Sequence, residues 1–335
     1  VDYQIQSSEI EYWCIQHSQG AVDLNVLCNC IDGLLTNDAK GALISCVAKD
    51  WSSNEDGTVW TFNLRDNVKW VDCEGDEMAD CVAEDFLWGL EFVLNYAKND
   101  SYNASMPMEM IVGAEEYYNY TKELTESEGA EAAYALTAEE GSKFADTVGI
   151  KILDDKTIEY TCVDALPYFP SVATYNCLYP LSAAMIEEIG VEGYRDITWE
   201  DMWYNGAYTV TYFENQNQKV LTATPNYWNA ENVKRFDTVT VKMVESAATA
   251  YQLFLAGEVD HISLDQATLQ DIYADKTNAY NGNLVQARPT KYSYQMHFVY
   301  SKNKEDGTPD ENWNLAVANE NFRKSWYYGL DLTNY

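Results

Sequence analysis

Three histidines, eight cysteines and 54 acidic side chains are the groups of this 335-residue chain that could do chemistry. None of His17, His261 and His297 stands in a Gly-x-Ser-x-Gly, His-Glu-x-x-His or cysteine-nucleophile context, so Ser-His-Asp or thiol hydrolysis is disfavoured. Cys14-Ile-Gln-His17 has the spacing of half a zinc site, but a closed site takes about four ligands and no second pair follows. The better reading is a strand cysteine beside a loop histidine. The acidic loop Asn303-Lys-Glu-Asp-Gly-Thr-Pro-Asp-Glu311 lacks the alternating Asp ligands and closing Glu of a calcium loop. Carboxylate pairs abound, yet without a cleft none can be assigned as a glycosidase acid and nucleophile. Gly33, Gly41 and Gly57 fall in turns, with no Gly-x-Gly-x-x-Gly and no Walker lysine, which disfavours nucleotide binding. These residues point to a protein without a catalytic site or cofactor.

The cysteines are Cys14, Cys28, Cys30, Cys46, Cys73, Cys81, Cys162 and Cys177, an even count that suits an oxidising compartment. Cys73 and Cys81 bracket the turn-prone Glu-Gly-Asp-Glu-Met-Ala-Asp, and a local disulfide closing that loop is expected. Cys28 and Cys30, two apart on a helix, would point to different faces and read as buried thiols.

The formal net charge of −33 repels phosphate backbones and anionic lipid, so nucleic acid is not an expected partner. The charge fits a solubilising outer surface or attraction of cationic ligands, and composition does not separate them. The length, with 47% apolar residues, suggests two domains. No run approaches the roughly 18 apolar residues of a membrane span, and Val1-Asp-Tyr-Gln-Ile lacks a basic start and apolar core. Any leader or lipid anchor is expected to have been removed. The 26 tyrosines and 10 tryptophans suit both core packing and the flat walls of a ligand cleft.

Elements must position these groups. An apolar strand is expected around Ile10 to Ile15, then a loop from His17 to Val22 and a helix from about Asp23 to Leu34. Asp56-Gly57 supplies a turn, and Val59 to Arg65 alternates Trp60, Phe62 and Leu64 against Thr61 and Asn63, the pattern of a half-buried hairpin. Val82 to Asn95 reads as an amphipathic helix that should pack on it. Helices and loops follow to Asp146. Hairpins are expected over Val148 to Cys162 and Asn205 to Thr224, then a strand at Thr238 to Val244. A helix runs from its Ser246 N-cap to its stop at Gly257, a strand restarts at Val259 to Ile262, and a last helix begins at Asn321.

Trp51 through Lys69-Trp70 to Ala83-Glu-Asp-Phe86 closely resembles the signature of extracytoplasmic oligopeptide-binding proteins. Ile31-Asp-Gly-Leu-Leu35, Asn205-Gly-Ala-Tyr208, Pro225-Asn-Tyr-Trp-Asn-Ala-Glu-Asn232, Ala256-Gly-Glu-Val-Asp260 and Asn321-Phe-Arg-Lys324 agree in order. The chain is thus similar to the peptide/nickel family, family 5, of solute-binding proteins of ABC importers.

That resemblance implies an α/β, periplasmic-binding-protein-like type II fold with two lobes and an extra inserted, β-hairpin-rich domain. Residues 1–35 and 165–318 would form the first lobe, 36–164 the insertion, and 319–335 the start of a second lobe largely missing from this chain. It implies a monomeric, non-enzymatic receptor that captures an oligopeptide in the interlobe cleft, pairing with its main chain, and delivers it to a membrane permease. An oligosaccharide receptor of the same family or a secreted glycan hydrolase are the alternatives. The location would be extracellular, as a membrane-anchored lipoprotein of a Gram-positive surface, or periplasmic. Matched to the family, the contact loop falls on Ser18, Gln19, Gly20 and Ala21, a contacting tyrosine on Tyr102, and a strand near the cleft on Thr290, Tyr292 and Tyr294. Gln19 stands where the family often has Glu. Val82 stands where it has a capping Thr, a loss of about 1 kcal/mol unless another group caps the helix, a role open to the Cys73 to Cys81 insertion.

Overall fold

The computed structural model describes residues 1–100, 102–286 and 295–331. The chain divides into two compact units, Val1–Thr268 and Leu269–Tyr335. In the first, strands run in chain order as β1 (Asp2–Gln6), β2 (Leu35–Asn37), β3 (Leu43–Ser45), β4 (Ala48–Ser53), β5 (Val59–Leu64), β6 (Lys69–Val71), β7 (Glu77–Asp80), β8 (Ile150–Asp154), β9 (Thr157–Thr161), β10 (Tyr208–Glu214), β11 (Gln218–Ala223) and β12 (Thr238–Met243). One four-stranded sheet has the order β1-β12-β11-β10, with β1 parallel to β12 and the rest antiparallel. The other is antiparallel, in the order β4-β5-β9-β8. β2 pairs β3 and β6 pairs β7 as separate ribbons.

The hairpin β4–β5 forms as its alternation requires. Gly57 takes φ +70° in the turn, and Phe62 and Leu64 are buried while Thr61 and Asn63 on the other face are not. Helix α2 (Ala83–Leu94) follows, with almost every side chain buried, and contacts this sheet at β8. Its start needs no threonine. The Asp85 carboxylate accepts from the backbone N–H of Val82 at 2.9 Å, and the Asp155 carbonyl accepts from Ala83 at 2.8 Å. The cap comes from inside the helix and from the β8–β9 turn, and not from the Cys73 to Cys81 segment.

That segment also corrects the expected disulfide. All eight cysteines are free thiols. Cys73 lies in the tip of the β6–β7 ribbon, where Gly75 N–H donates to Asp72, whereas Cys81 N–H donates to Val68 at the open end. With β7 between them, the two cysteines are roughly 13 Å apart at strand rise, beyond the ~7 Å a disulfide spans.

Three other expectations are revised. No strand forms around Ile10 to Ile15, because side chains take up that backbone: Asp23 accepts from Glu11 N–H at 2.9 Å and Asn176 donates to Ile15 O at 2.8 Å. The first helix, α1 (Ala21–Leu27), stops seven residues early. The carbonyls of Asn29 and Cys30 turn away to accept from Tyr208 and Gly206, and a Cβ on Gly206 would lie 2.5 Å from the Cys30 carbonyl carbon. Val259 to Ile262 is not a strand either, although Asp260 N–H donates to Tyr3 O on the β1 edge.

In the second unit, Glu311–Ala318 and Glu320–Gly329 are helices. Asp310 caps the first through Trp313 N–H, and Trp313 meets Phe322 edge-on at 6.1 Å. Among the described residues, no helix is long and apolar enough to cross a membrane.

Candidate functional site

β1 ends at Gln6, whose side chain donates to Val22 O at 2.7 Å and so ties the strand to α1. Between them the chain makes an irregular excursion that ends in the loop Ser18 to Ala21. The loop has an anchored side and an open side. On the anchored side, Cys14 O accepts from both His17 and Ser18 N–H at 3.1 Å. Ser18 is buried, its carbonyl accepts from Asn176 at 2.8 Å and Asn103 at 2.9 Å, and its hydroxyl donates to Asp23 at 3.2 Å. Burial raises the Asp23 carboxyl above its usual range, although Glu11 N–H and the Ser18 hydroxyl both favour its charged form. On the open side Gln19, Gly20 and Ala21 are exposed, and no side chain caps the start of α1.

Tyr102 is brought to this loop by the end of α2. Asn95 caps the short helix α3 (Tyr96–Asn99) by accepting from Ala97 and Lys98 N–H. Beneath it Glu91 and Lys98 form a fully buried ion pair at 2.8 Å. Tyr117 and Asn95 also donate to Glu91, at 2.7 and 2.9 Å, and Lys98 donates to Leu136 O at 2.6 Å, so the pair's other hydrogen-bonding groups are met. Beyond α3 the chain turns sharply through Asp100 and Asn103, both with positive φ, a conformation that Asn and Asp tolerate better than most residues. Asn103 then reaches back to Gln16 O and Ser18 O.

His17 fills the space between the two segments. Its ring lies 4.4 Å from that of Tyr12 and 4.3 Å from that of Tyr102, and its Nδ1 is 3.1 Å from Asn99 Oδ1. The structure therefore gathers Ser18, Gln19, Gly20, Ala21 and Tyr102 into one neighbourhood. Thr290, Tyr292 and Tyr294 lie outside the described residues. Tyr12, His17, Asn99, Asn103 and Asn176 belong to the same neighbourhood and were not singled out from sequence as contact or anchoring residues. The asparagines carry no local signal, since Asn176 meets Ser18 across 158 residues. Cys14, the would-be metal partner of His17, is buried with its thiol pushed up to about 12, and no cluster of metal-ligating side chains forms among the described residues.

A second feature sits at the carboxyl ends of β1 and β12. A cavity of about 330 Å³ opens there, lined by Ile5, Ser7, Val244, Glu245, His261 and Ser263 among others. The carboxyl ends of parallel strands are where open α/β sheets receive ligands. His261, which stands in no catalytic sequence context, is one of the residues lining this cavity.

A family model described as bacterial extracellular solute-binding proteins, family 5 middle, matches residues 42–334. Among curated proteins, the oligopeptide-binding protein AliB of Streptococcus pneumoniae is 26% identical over 322 residues, covering 94% of this chain and 45% of AliB. The oligopeptide-binding protein SarA of Streptococcus gordonii is 24% identical, covering 99% of this chain and 47% of SarA. Among solved structures, Listeria monocytogenes OppA bound to peptide superposes with a TM-score of 0.67 at 20% identity, over 82% of this chain and 48% of that one. Haemophilus influenzae OppA in complex with RPPGFSPFR does so with a TM-score of 0.67 at 21% identity, over 82% and 48%. The chain spans about half the length of the curated relatives it matches. The likeness establishes an α/β fold of the periplasmic-binding-protein kind.

Proposed function

The chain belongs to the bacterial extracellular solute-binding proteins of family 5, and from that premise we propose that it captures oligopeptides for an ABC importer and hands them to the membrane permease. The observation that carries this reading is the two-sided loop Ser18 to Ala21. Its inner face is fixed by Asn103, Asn176 and Asp23, while Gln19 to Ala21 stay open and His17, the residue preceding the loop, packs on the Tyr102 ring. A rigid, exposed backbone next to an aromatic wall suits main-chain pairing with an extended peptide, which gives affinity with little side-chain selection. On this reading residues 36–164 are a domain inserted between 1–35 and 165–318, and the cavity around His261 is a second part of the same ligand surface. Lobe closure over the ligand would be a hinge motion. Monomeric action from a lipid-anchored position outside a Gram-positive membrane, or in a periplasm, completes the proposal.

Calorimetry of the protein with RPPGFSPFR and with mixed peptides, set against cello- and xylo-oligosaccharides, tests it. Heat with peptides, weakened when Asn176→Ala removes a donor that holds the Ser18 carbonyl and so loosens the loop, is expected. Heat with sugars only would replace the peptide reading by the oligosaccharide one, and release of sugar products would point to a hydrolase.

A further inference from the structure

His17 is 1% exposed, and its Nε2 has no hydrogen-bond partner among the described residues. The other nitrogen settles which proton the neutral ring carries. Asn99 uses its Nδ2 to donate to Tyr102 O and to Val93 O, so the atom it turns to His17 is a carbonyl oxygen that can only accept. His17 must therefore hold its proton on Nδ1 and leave Nε2 a bare, buried lone pair. A second proton would place an N–H donor at Nε2 with nothing to receive it.

The ring also packs against both Tyr12, from the excursion after β1, and Tyr102, from the segment after α3. We propose that His17 is a positioning residue that locks Tyr102 against the Ser18 to Ala21 loop while neutral and releases it when protonated, making the proposed peptide site sensitive to acid. The consequence for ligand rests on the function proposed above; the lock itself does not.

The charged groups around the ring do not rescue the cation. Arg195, from the helix Val191–Arg195, opposes a positive charge there, Asp100 at the end of α3 favours one, and those two are themselves paired at 3.2 Å. Burial and the neighbouring Glu11 raise the Tyr12 phenol above its usual range, and Asp23 accepts from the Glu11 N–H at 2.9 Å. Burial dominates and lowers the titration of His17 below that of a free imidazole. The locked state is then fully favoured above about pH 6.5 and weakens as pH falls toward the lowered titration point, by about tenfold for each pH unit between the two.

Nitrogen-15 NMR of the imidazole and amide hydrogen exchange over residues 16–23 and 102–103, from pH 7.5 to 5, test the lock without any ligand. The expected result is an Nδ1–H tautomer at neutral pH and protection factors that fall on acidification in the native protein. His17→Asn keeps a donor toward Asn99 but cannot titrate, so the protection it retains without the ring should be the same at both pH values, whereas His17→Ala, with neither ring nor donor, should have the least at both. An Nε2–H tautomer, or a His17→Asn variant that loses protection with acid as the native protein does, would overturn the lock. RPPGFSPFR affinity measured over the same pH range reads the consequence. Binding that weakens with acid in the native protein but not in His17→Asn supports it, and binding that weakens equally in both refutes it. No peptide binding at any pH would count against the parent function and leave the lock judged by the NMR and exchange arms.

Discussion

The indole Nε1 of Trp70 donates to the carboxylate of Asp85 at 2.8 Å, joining the two halves of the motif by which the chain is recognised. Both side chains are buried, and the same carboxylate accepts from Val82 and Ala183 N–H, so it fastens β6, the start of α2 and the segment leading to the helix Ala183–Ile189 at one point. The motif is a structural knot, remote in the chain from the loop proposed to bind ligand.

Trp70→Phe keeps most of the apolar volume but removes one of the donors to a buried carboxylate. A loss of about 1–3 kcal/mol is expected, read as a lower urea midpoint. An unchanged midpoint would mean that the bond adds nothing net.

Burial pushes the Asp85 carboxyl up to about 6, against the pull of hydrogen bonds from Trp70, Ala183, Val82 and Cys81. The folded protein thus takes up this proton more readily than the unfolded chain. Asp85's contribution to stability is greatest below about pH 4 and falls as pH rises toward 6, by roughly 2–3 kcal/mol in all. Asp85→Asn should abolish that part of the pH dependence. It should also destabilise the fold near pH 7, because an amide cannot accept from donors on both sides.

Lys98→Met strands the buried Glu91 carboxylate and should cost about 3–5 kcal/mol, while Glu91→Gln combined with Lys98→Met should recover much of it. Because α3 leads directly to Tyr102 and Asn103, the single variant should also speed amide exchange there. Equal loss in single and double variants would place the cost in packing instead of the stranded charge.

Without disulfides, reductant should leave the thermal midpoint unchanged. Ellman's reagent should find fast thiols only at Cys28 and Cys73, which are not buried, and all eight after unfolding. A midpoint that drops with reductant would show a bridge that this fold does not contain.

Legibility followed the range of the interactions. The β4–β5 hairpin, α2 and the Ser246-capped helix were readable because alternation, helical spacing, Asp56-Gly57 and a serine cap all act within a few residues. The expected strand at Ile10 to Ile15 and the long first helix failed because partners from residues 176, 206 and 208 claim that backbone. Cys73 and Cys81 misled for a related reason: their loop zips into a ribbon that carries them apart.

By itself the sequence determined the family and showed no recognised catalytic motif, and through its ordered motifs it proposed the loop Ser18 to Ala21 and Tyr102 as ligand contacts. Tertiary structure alone decided that His17, at the head of the loop, packs on Tyr102 with a bare Nε2, and that Asn103 and Asn176 hold Ser18 from behind. Hydrogen bonds and ring contacts across 85 to 158 residues leave no periodicity or spacing to read, because their geometry exists only once both elements are packed.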